Sequence, residues 1–346
     1  MDYRKLLDSI KEDTIYEENK DPNSRVLLID GLNLFFRNFA TMNMINSDGN
    51  HIGGLGGFLR SLGSLIGQIN PTSVYVIFDG IGSSQNRKNI IPEYKSNRNI
   101  TKITNWEIFE NLEEENDSKI DQISRLIQYL KLLPVKVLAL GKVEADDVIA
   151  VLSEKISSDP NNQVFMITND RDYIQLIKKN VILYLPNKRD FYSIENIVSE
   201  YGIVPENFII YKTLLGDNSD KVKGAKGLGP KKILKFFPEL KDRILSLEDI
   251  FQICEERLTD NIMYARILKQ SESLRNSLKI MDLSNPMVSE DDIEIIENMI
   301  NSQSNSYHPT QFKMMYDEDQ IGKIIRNLDK WLKDYFEPLL KFSILR

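Results

Sequence analysis

The sequence predicts an α/β protein with a central, mainly parallel sheet that has a mixed edge and is flanked by helices. Short apolar, β-branched runs recur between residues 25 and 185, and helical stretches separate them. Strands of a parallel sheet read as near-continuous apolar runs because helices cover both faces. Ligands of such sheets bind beyond the carboxyl ends of the strands, so residues at those ends are the first candidates for function.

The individual elements follow from these runs in chain order. Five strands are predicted, at 25–30, 74–80, 135–140, 163–168 and 181–185. The stretches between them predict helices at 55–69, 120–133 and 144–156. Beyond about Tyr192 the chain is predicted to be mainly helical, and the last helix lies around 320–335.

We expect three regions along the chain. Residues 1–24 form a polar N-terminal segment, 25–191 the catalytic α/β domain, and 192–346 a helical domain with a C-terminal extension. Within 1–24, four apolar residues recur at helical spacing and share one face: Tyr3, Leu6, Leu7 and Ile10. That face either packs on the parent domain or docks a partner, and the sequence leaves both open.

Composition excludes several classes of protein. One cysteine and two histidines exclude a disulfide framework and any Cys- or His-rich metal site. There is no secretory signal and no run of about 18 apolar residues that could cross a membrane. We therefore expect a soluble, intracellular protein with no membrane partner. The net charge of −7 argues weakly against nucleic-acid binding, because an acidic surface repels phosphates.

Acidic residues follow four successive predicted strands and recur in the segment GDNSD (216–220). Each acid alone has a structural explanation, since an acid in the first turn of a helix stabilises it by about 0.3–1 kcal/mol. Together, like charges at one sheet edge would destabilise the fold unless cations intervene. The candidate metal ligands are Asp30, Asp79, Glu144, Asp146, Asp147, Asp170, Asp172, Asp217 and Asp220.

Carboxylate oxygens without Cys or His favour Mg²⁺ or Mn²⁺. Nine acids are enough for two ions. A two-ion site suits in-line displacement at a phosphodiester, in which one ion activates water and the other stabilises the leaving oxygen.

Positive charge is concentrated in two segments. Residues 221–235 carry six lysines and no acid, and their glycines permit a tight hairpin. The second segment, residues 87–98, interleaves four cations with the aromatic ring of Tyr94. This combination suits phosphate contacts and stacking of an unpaired base. The alternatives are a solvated lysine-rich turn and an ordinary surface helix. The candidate nucleic-acid contacts are Arg87, Lys88, Tyr94, Lys221, Lys223, Gly224, Lys226, Gly227, Gly229, Lys231 and Lys232.

The motifs together carry a family resemblance. The segments 28–37, 76–80, 87–98, 143–147, 168–176 and 216–233 resemble, in the same order, the motifs of the flap endonuclease / 5′–3′ exonuclease family. This family includes the 5′-nuclease domains of bacterial DNA polymerase I and phage enzymes called RNase H. The resemblance implies a PIN-like core with a helical arch at about 85–121 and a helix-hairpin-helix at about 216–236. It also implies a K⁺ site at the hairpin, and a catalytic role for Lys95 and Arg98 in stabilising charge at the scissile phosphate.

The predicted function is a metal-dependent, structure-specific 5′ nuclease of DNA replication. Its substrates are DNA and RNA–DNA duplexes with 5′ flaps or ends, including RNA primers. The resemblance also implies a monomer in the cytoplasm of a bacterial or phage-infected cell. A sliding clamp and a single-strand-binding protein are expected partners. The alternatives are a PIN-type ribonuclease and a flap-binding scaffold that does not cut.

Two further features of the sequence, an acidic run and a group of glycines, each have two interpretations. The acidic run 107–121 would make part of the arch negative, and we expect it to be disordered without DNA or to steer the backbone away from wrong paths. The glycines at 53, 54, 56 and 57 fit either close approach to duplex DNA or tight helix–sheet packing.

Overall fold

The computed structural model of the chain describes residues 24–98, 102–302 and 307–344. The predicted N-terminal segment 1–24 therefore lies, apart from Ser24, outside the described residues. A six-stranded sheet has the strand order β3-β2-β1-β4-β5-β6 and is parallel except for the antiparallel edge strand β6. A separate two-stranded antiparallel hairpin consists of β7 and β8. The strands are β1 (Ser24–Asp30), β2 (Ser73–Ile77), β3 (Lys136–Leu138), β4 (Asn162–Ile167), β5 (Val181–Leu185), β6 (Asp190–Tyr192), β7 (Gly216–Asp217) and β8 (Val222–Lys223).

Helices cover the sheet and form the second half of the chain. In the described residues these are α1 (Gly31–Thr41), α2 (Gly53–Ile69), α3 (Gln85–Lys88), α4 (Leu112–Leu130), α5 (Ala145–Ser157), α6 (Ile194–Tyr201), α7 (Phe208–Leu215), α8 (Pro230–Phe236), α9 (Leu247–Glu256), α10 (Ile262–Leu268), α11 (Ser271–Met281), α12 (Glu290–Asn301), α13 (Pro309–Glu318), α14 (Leu328–Trp331) and α15 (Glu337–Ile344). Short 3₁₀ turns lie at Arg171–Leu176, Pro205–Asn207, Pro238–Lys241 and Gly322–Ile324, and a π-helical turn at Leu332–Phe336.

The central strand β1 shows why the sheet is buried on both sides. Successive side chains of a strand point to opposite faces. Accordingly Val26 and Leu28 enter the hydrophobic core on one face, and Leu27 and Ile29 enter the core on the other. All four are at most 3% exposed. The predicted α/β class with a mainly parallel, mixed-edge sheet is confirmed.

The glycines of α2 receive other parts of the chain. A Cβ at Gly54 would lie 2.6 Å from the ring of Phe35, and one at Gly56 would lie 2.3 Å from Ile324. Gly53, Gly54, Gly56 and Gly57 are all buried. Tight packing therefore accounts for these glycines, and close approach to DNA does not.

The C-terminal helices return to the sheet. A Cβ at Gly63 would lie 2.1 Å from Nε1 of Trp331, and one at Gly67 would lie 2.6 Å from the ring of Tyr335. Residues of this segment from Tyr307 to Leu339 therefore pack on α2 and share its core. The division into two domains at residue 191 stays a prediction. The structure shows in addition that the C-terminal helices pack back on α2.

The acidic run 107–121 is part of an ordered element. Helix α4 begins at Leu112, where Asn111 accepts the backbone N–H of Glu114 at 2.9 Å, and acids in its first turn favour the helix dipole. Glu115 is fully buried and accepts the backbone N–H groups of Thr104 and Asn105. This differs from the expectation of disorder, because the folded helix satisfies a carboxylate that the sequence alone shows only as one acid among many.

Within the described part of the chain, none of the helices combines the length and the apolar character that crossing a membrane requires.

Candidate metal centre and nucleic-acid interface

The acids of β1 and β2 are fixed by backbone N–H groups at the carboxyl edge of the sheet. Asp30 ends β1 and caps α1, where its Oδ1 accepts the N–H of Asn33 at 3.0 Å. Asp79 follows β2, and its Oδ1 accepts the N–H of Ala145, the first residue of α5, at 2.7 Å. A short carboxylate is a preferred cap at such a strand-to-helix junction. The two side chains therefore have defined directions at the edge where ligands bind.

Asp146 lies at the centre of the acidic cluster. Burial and the neighbouring charge of Asp146 raise the pKa of Asp30 well above its usual range. The same two causes raise the pKa of Asp170 to about 7 and also raise that of Asp79. Burial is the larger cause each time. These shifts mean that the carboxylates repel one another in the absence of a cation.

Four acids have no Lys or Arg partner within the described ranges. They are Asp30, Asp79, Asp146 and Asp170. Asp170 accepts the N–H of Asp172 at 2.9 Å, and Asp146 accepts the hydroxyl of Tyr173 at 2.6 Å. Neutral donors orient these carboxylates without neutralising their charge.

The remaining acids of the cluster are already paired with cations. Lys95 Nζ lies 2.9 Å from Glu144 Oε1, and Arg98 lies 2.6 Å from Asp220 Oδ1. Burial raises the pKa of Glu144 even though Arg87 and Lys95 act against it. The sequence-predicted residues Lys95 and Arg98 are thus placed at the acidic cluster, on the side of α5 and of the β7–β8 hairpin.

Lys212 is a functional candidate that sequence reasoning missed. Its ammonium contacts Asp172 and lies 3.1 Å from Asp217 Oδ2, so one cation bridges two acids. Burial acts to raise the pKa of Asp217, but the hydroxyl of Ser219 and the Lys212 charge outweigh it and lower the pKa. The available signal was a single lysine inside the apolar helix FIIYKTLL, five residues before Asp217.

Asp147 does not belong to the open cluster. The Arg87 guanidinium binds it in a bidentate pair, with N–O distances of 2.6 and 3.0 Å, and the N–H of Met287 adds a third bond. Asp147 is only 1% exposed. In this structure both oxygens of Asp147 are taken up in a buried ion pair, so the structure does not bring Asp147 together with the open acids, and its role as a metal ligand stays a prediction.

Two predicted nucleic-acid contacts are also buried. Arg87 is 4% exposed and, besides binding Asp147, donates to the carbonyl of Ile280 at 2.8 Å. Tyr94 is 4% exposed, donates its hydroxyl to Glu144 at 3.0 Å and packs in a small core with residues of α11. Neither side chain can reach a phosphate or stack a base. Both predictions are wrong, and the two residues instead hold the 85–98 segment against the acidic cluster.

The lysine-rich hairpin, which comprises β7, β8 and the residues that follow up to 235, presents its charges to solvent. Gly216 has φ of 78°, and a Cβ there would lie 2.3 Å from the backbone of Gly224, so both positions need glycine. Gly227 also has a positive φ, of 90°. The predicted lysines of this segment are exposed, and in the described structure they take part in no ion pair: Lys221, Lys223, Lys226, Lys231 and Lys232. Lys88 is likewise exposed, and Gly229 caps α8.

The donor set suits a hard divalent cation, since it consists of carboxylates alone. Across residues 24–98, 102–302 and 307–344, no three acidic, His or Cys side chains already stand in a metal-binding arrangement. Cations of the protein occupy part of the cluster: Lys95, Arg98 and Lys212. A metal ion would therefore bind with rearrangement of side chains whose backbone positions already converge.

The carboxyl edge of the α/β sheet carries a cluster of acids, and an exposed lysine-rich hairpin follows it in the chain. This arrangement is typical of nucleases that bind divalent metal ions through carboxylates. A family model described as the 5′-3′ exonuclease, N-terminal resolvase-like domain matches residues 25–202. The chain belongs to this 5′-3′ exonuclease family and is a nuclease, so the family and the enzyme class predicted from the sequence are confirmed.

Named relatives agree with this assignment. The chain is 28% identical to the 5′-3′ exonuclease of Aquifex aeolicus over 303 residues, which cover 86% of this chain and 96% of that protein. It is 30% identical to the 5′-3′ exonuclease of Bacillus subtilis over 234 residues, covering 64% of this chain and 73% of the relative. DNA polymerase I of Thermus thermophilus is 30% identical over 261 residues, 75% of this chain and 29% of that polymerase.

Solved structures share the fold at low identity. The flap endonuclease of bacteriophage T5, in a complex with DNA and metal ions, superimposes with a TM-score of 0.60 at 18% identity over 92% of this chain and 99% of that one. Human GEN1 in complex with Holliday junction DNA has a TM-score of 0.56 at 14% identity, over 93% and 73%.

Proposed function

We propose that the chain is a divalent-metal-dependent, structure-specific 5′ nuclease that cuts 5′ flaps and removes RNA primers from RNA–DNA duplexes. One observation carries the proposal: four carboxylates without a cation partner converge on the sheet edge, and Asp217 and Asp220, whose charges act on Asp170, lead directly into the exposed, unpaired lysines from Lys221 onward. The relatives named above are 5′-3′ exonucleases, and the bacteriophage T5 flap endonuclease is described with DNA and metal ions. Both support the proposal.

A first divalent ion, Mg²⁺ or Mn²⁺, would be held by the four open acids, Asp30, Asp79, Asp146 and Asp170. The raised pKa values of Asp30, Asp79 and Asp170 support this, because burial and the charge of Asp146 raise them and a bound cation would offset both causes. A second ion would be held by Asp172, Asp217 and Asp220, whose present partners are Lys212 and Arg98. Bound ions would supply an activated water and stabilisation of the leaving oxygen.

The protein's own cations act on the phosphate. Lys95 and Arg98 each contact an acid of the cluster and remain partly exposed, so both can turn towards a phosphate that enters. Their charges would stabilise the additional negative charge of the transition state, and cleavage would leave a 5′-phosphate. Glu144 and Asp220 hold the two cations in place until then.

The lysine-rich hairpin would hold the duplex. Its exposed ammonium groups can contact successive phosphates without reading sequence. We expect the helix-hairpin-helix to bind K⁺ as well. Residues 1–24 remain the proposed docking segment for a sliding clamp or a single-strand-binding protein, with the nuclease acting as a monomer. Clamp-stimulated activity that survives deletion of residues 1–20 would rule that segment out.

Three substrates test the proposal: a 5′-labelled flap, a nicked duplex and a plain single-stranded RNA, each with Mg²⁺ or with EDTA. We expect Mg²⁺-dependent cleavage with preference for the flap. Cleavage of plain RNA without flap preference would favour a PIN-type ribonuclease. Flap binding without cleavage would favour a scaffold.

A substitution separates binding from chemistry. Asp170→Asn should abolish cleavage and retain flap binding, because the side chain lies in the acidic cluster and outside the lysine-rich hairpin. Full activity of this variant would contradict the assignment. Asp329→Asn is the matched control, since Asp329 is an exposed acid that pairs with Lys313 on the C-terminal helices.

A further inference from the structure

Asp146 differs from the other acids of the cluster in its surroundings. It is the acid that four others face: Asp30, Asp79, Glu144 and Asp170. In the part of the chain that the structure describes, no Lys or Arg forms an ion pair with it. Its side-chain hydrogen bond comes from the hydroxyl of Tyr173, which donates to Oδ1 at 2.6 Å.

Tyr173 is held rigidly for this contact. It lies in the 3₁₀ turn Arg171–Leu176, directly after Asp170 and Asp172. Its side chain is fully buried and packs in the same core as Val148 and Ile149 of α5, the helix that carries Asp146. A buried hydroxyl cannot exchange its partner for water, so the bond to the carboxylate fixes the orientation of that group.

A neutral donor has a consequence here that a lysine would not have. An ammonium group orients a carboxylate but also neutralises it and competes with a metal ion for the same oxygens. A phenolic hydroxyl donates one hydrogen bond and leaves the full negative charge in place. Oδ2 of Asp146 receives no hydrogen bond from any described residue, so Tyr173 occupies one oxygen and leaves the other open.

We propose that Tyr173 is a positioning residue, which orients the Asp146 carboxylate so that its free oxygen can bind a divalent cation. The inference rests on the proposed function of the cluster as a metal site. Groups that hydrogen-bond to metal ligands typically contribute about 10–100-fold to metal affinity. Tyr173 would act through Asp146 and would touch neither the substrate nor the ion.

The chain contains a matched control for a merely structural role. Tyr129 on α4 is also fully buried, and its hydroxyl donates to Asp319 Oδ2 at 2.7 Å. That carboxylate is paired with Arg125 at 2.7 Å and belongs to the packing of the C-terminal helices. Tyr173→Phe and Tyr129→Phe therefore remove equivalent hydrogen bonds, of which only the first faces the acidic cluster.

The test is a Mn²⁺ titration of the DNA-free protein, read from the electron paramagnetic resonance signal of unbound Mn²⁺. Tyr173→Phe should weaken Mn²⁺ binding at the site that contains Asp146 on the order of 10-fold. Tyr129→Phe should leave the affinity of that site within about twofold of wild type. Both variants should lower the urea midpoint in EDTA by similar amounts. In cleavage assays, Tyr173→Phe should raise the half-saturating Mn²⁺ concentration and leave the KM for flap DNA unchanged.

A double variant tests whether Tyr173 acts through Asp146. In an Asp146→Asn background, the Tyr173→Phe change should cause no further loss of Mn²⁺ affinity. A further loss as large as in the wild-type background would overturn the inference, and so would unchanged affinity in the single variant or an equal loss in Tyr129→Phe. Wild-type protein that binds no Mn²⁺ would instead overturn the proposed function together with this inference.

Discussion

Without divalent cations, the free energy of unfolding should fall as the pH rises from about 4 to about 7. Burial and the charge of Asp146 raise the pKa of Asp170 from 3.8 to about 7. Between these values the folded chain keeps a proton that the unfolded chain releases, so raising the pH favours unfolding. A shift of about 3 units corresponds to roughly 4 kcal/mol for one carboxyl group. Asp30 changes stability in the same direction, because its pKa is raised as well.

Urea denaturation in EDTA at several pH values measures this effect. Asp170→Asn cannot ionise, so it should reduce the slope of stability against pH and be more stable than wild type at about pH 8. Added Mg²⁺ should stabilise the wild type most at that pH, where the carboxylates are ionised. The exposed control Asp329→Asn should keep the wild-type slope. Stability in EDTA that is constant or increases over this range, or equal slopes for the two variants, would refute the reasoning.

Three further predictions concern the packing and the proposed DNA path. Asp147→Asn should destabilise the protein by about 1–3 kcal/mol, less than the about 3–5 kcal/mol of a buried charge left without any partner, because Arg87 loses its bidentate carboxylate and keeps Glu144 at 3.2 Å; urea denaturation measures this, and a loss below about 1 kcal/mol would contradict it. Gly63→Ala should cost about 1–3 kcal/mol, since its Cβ would lie 2.1 Å from an indole nitrogen, whereas Gly141→Ala meets no atom within 4 Å and should be nearly neutral in thermal unfolding. Lys231→Gln should reduce the salt dependence of duplex binding by about one unit of slope at unchanged kcat, and an unchanged slope would place Lys231 away from the DNA.

Local sequence patterns predicted the sheet and most of the acidic cluster. The apolar runs that became β1, β2 and β4 are buried on both faces, so their composition alone identifies them. Because the strands are parallel, acids that follow them must meet at one edge, and Asp30 and Asp79 do so. Such inferences need only the order of the elements and the direction of each strand.

Features that depend on long-range packing could not be predicted in this way. Arg87 and Tyr94 lie in a basic segment that reads as surface, but Ile280 and Met281, almost two hundred residues later, cover them.

Helix α4 begins at Leu112, eight residues before the predicted start, because acids that look like a loop are favourable in a first turn.

The glycine-lined face of α2 has a consequence for how the chain folds during synthesis. N-terminal regions generally fold first as a chain leaves the ribosome. Here Gly56, Gly63 and Gly67 are covered by side chains from residues 324–335, which are synthesised more than two hundred residues later. The segment that the family model matches, residues 25–202, therefore leaves the ribosome with one apolar face uncovered. That face is closed only after residues 324–335 have been synthesised, so the packing of the nuclease core depends on a segment far along the chain.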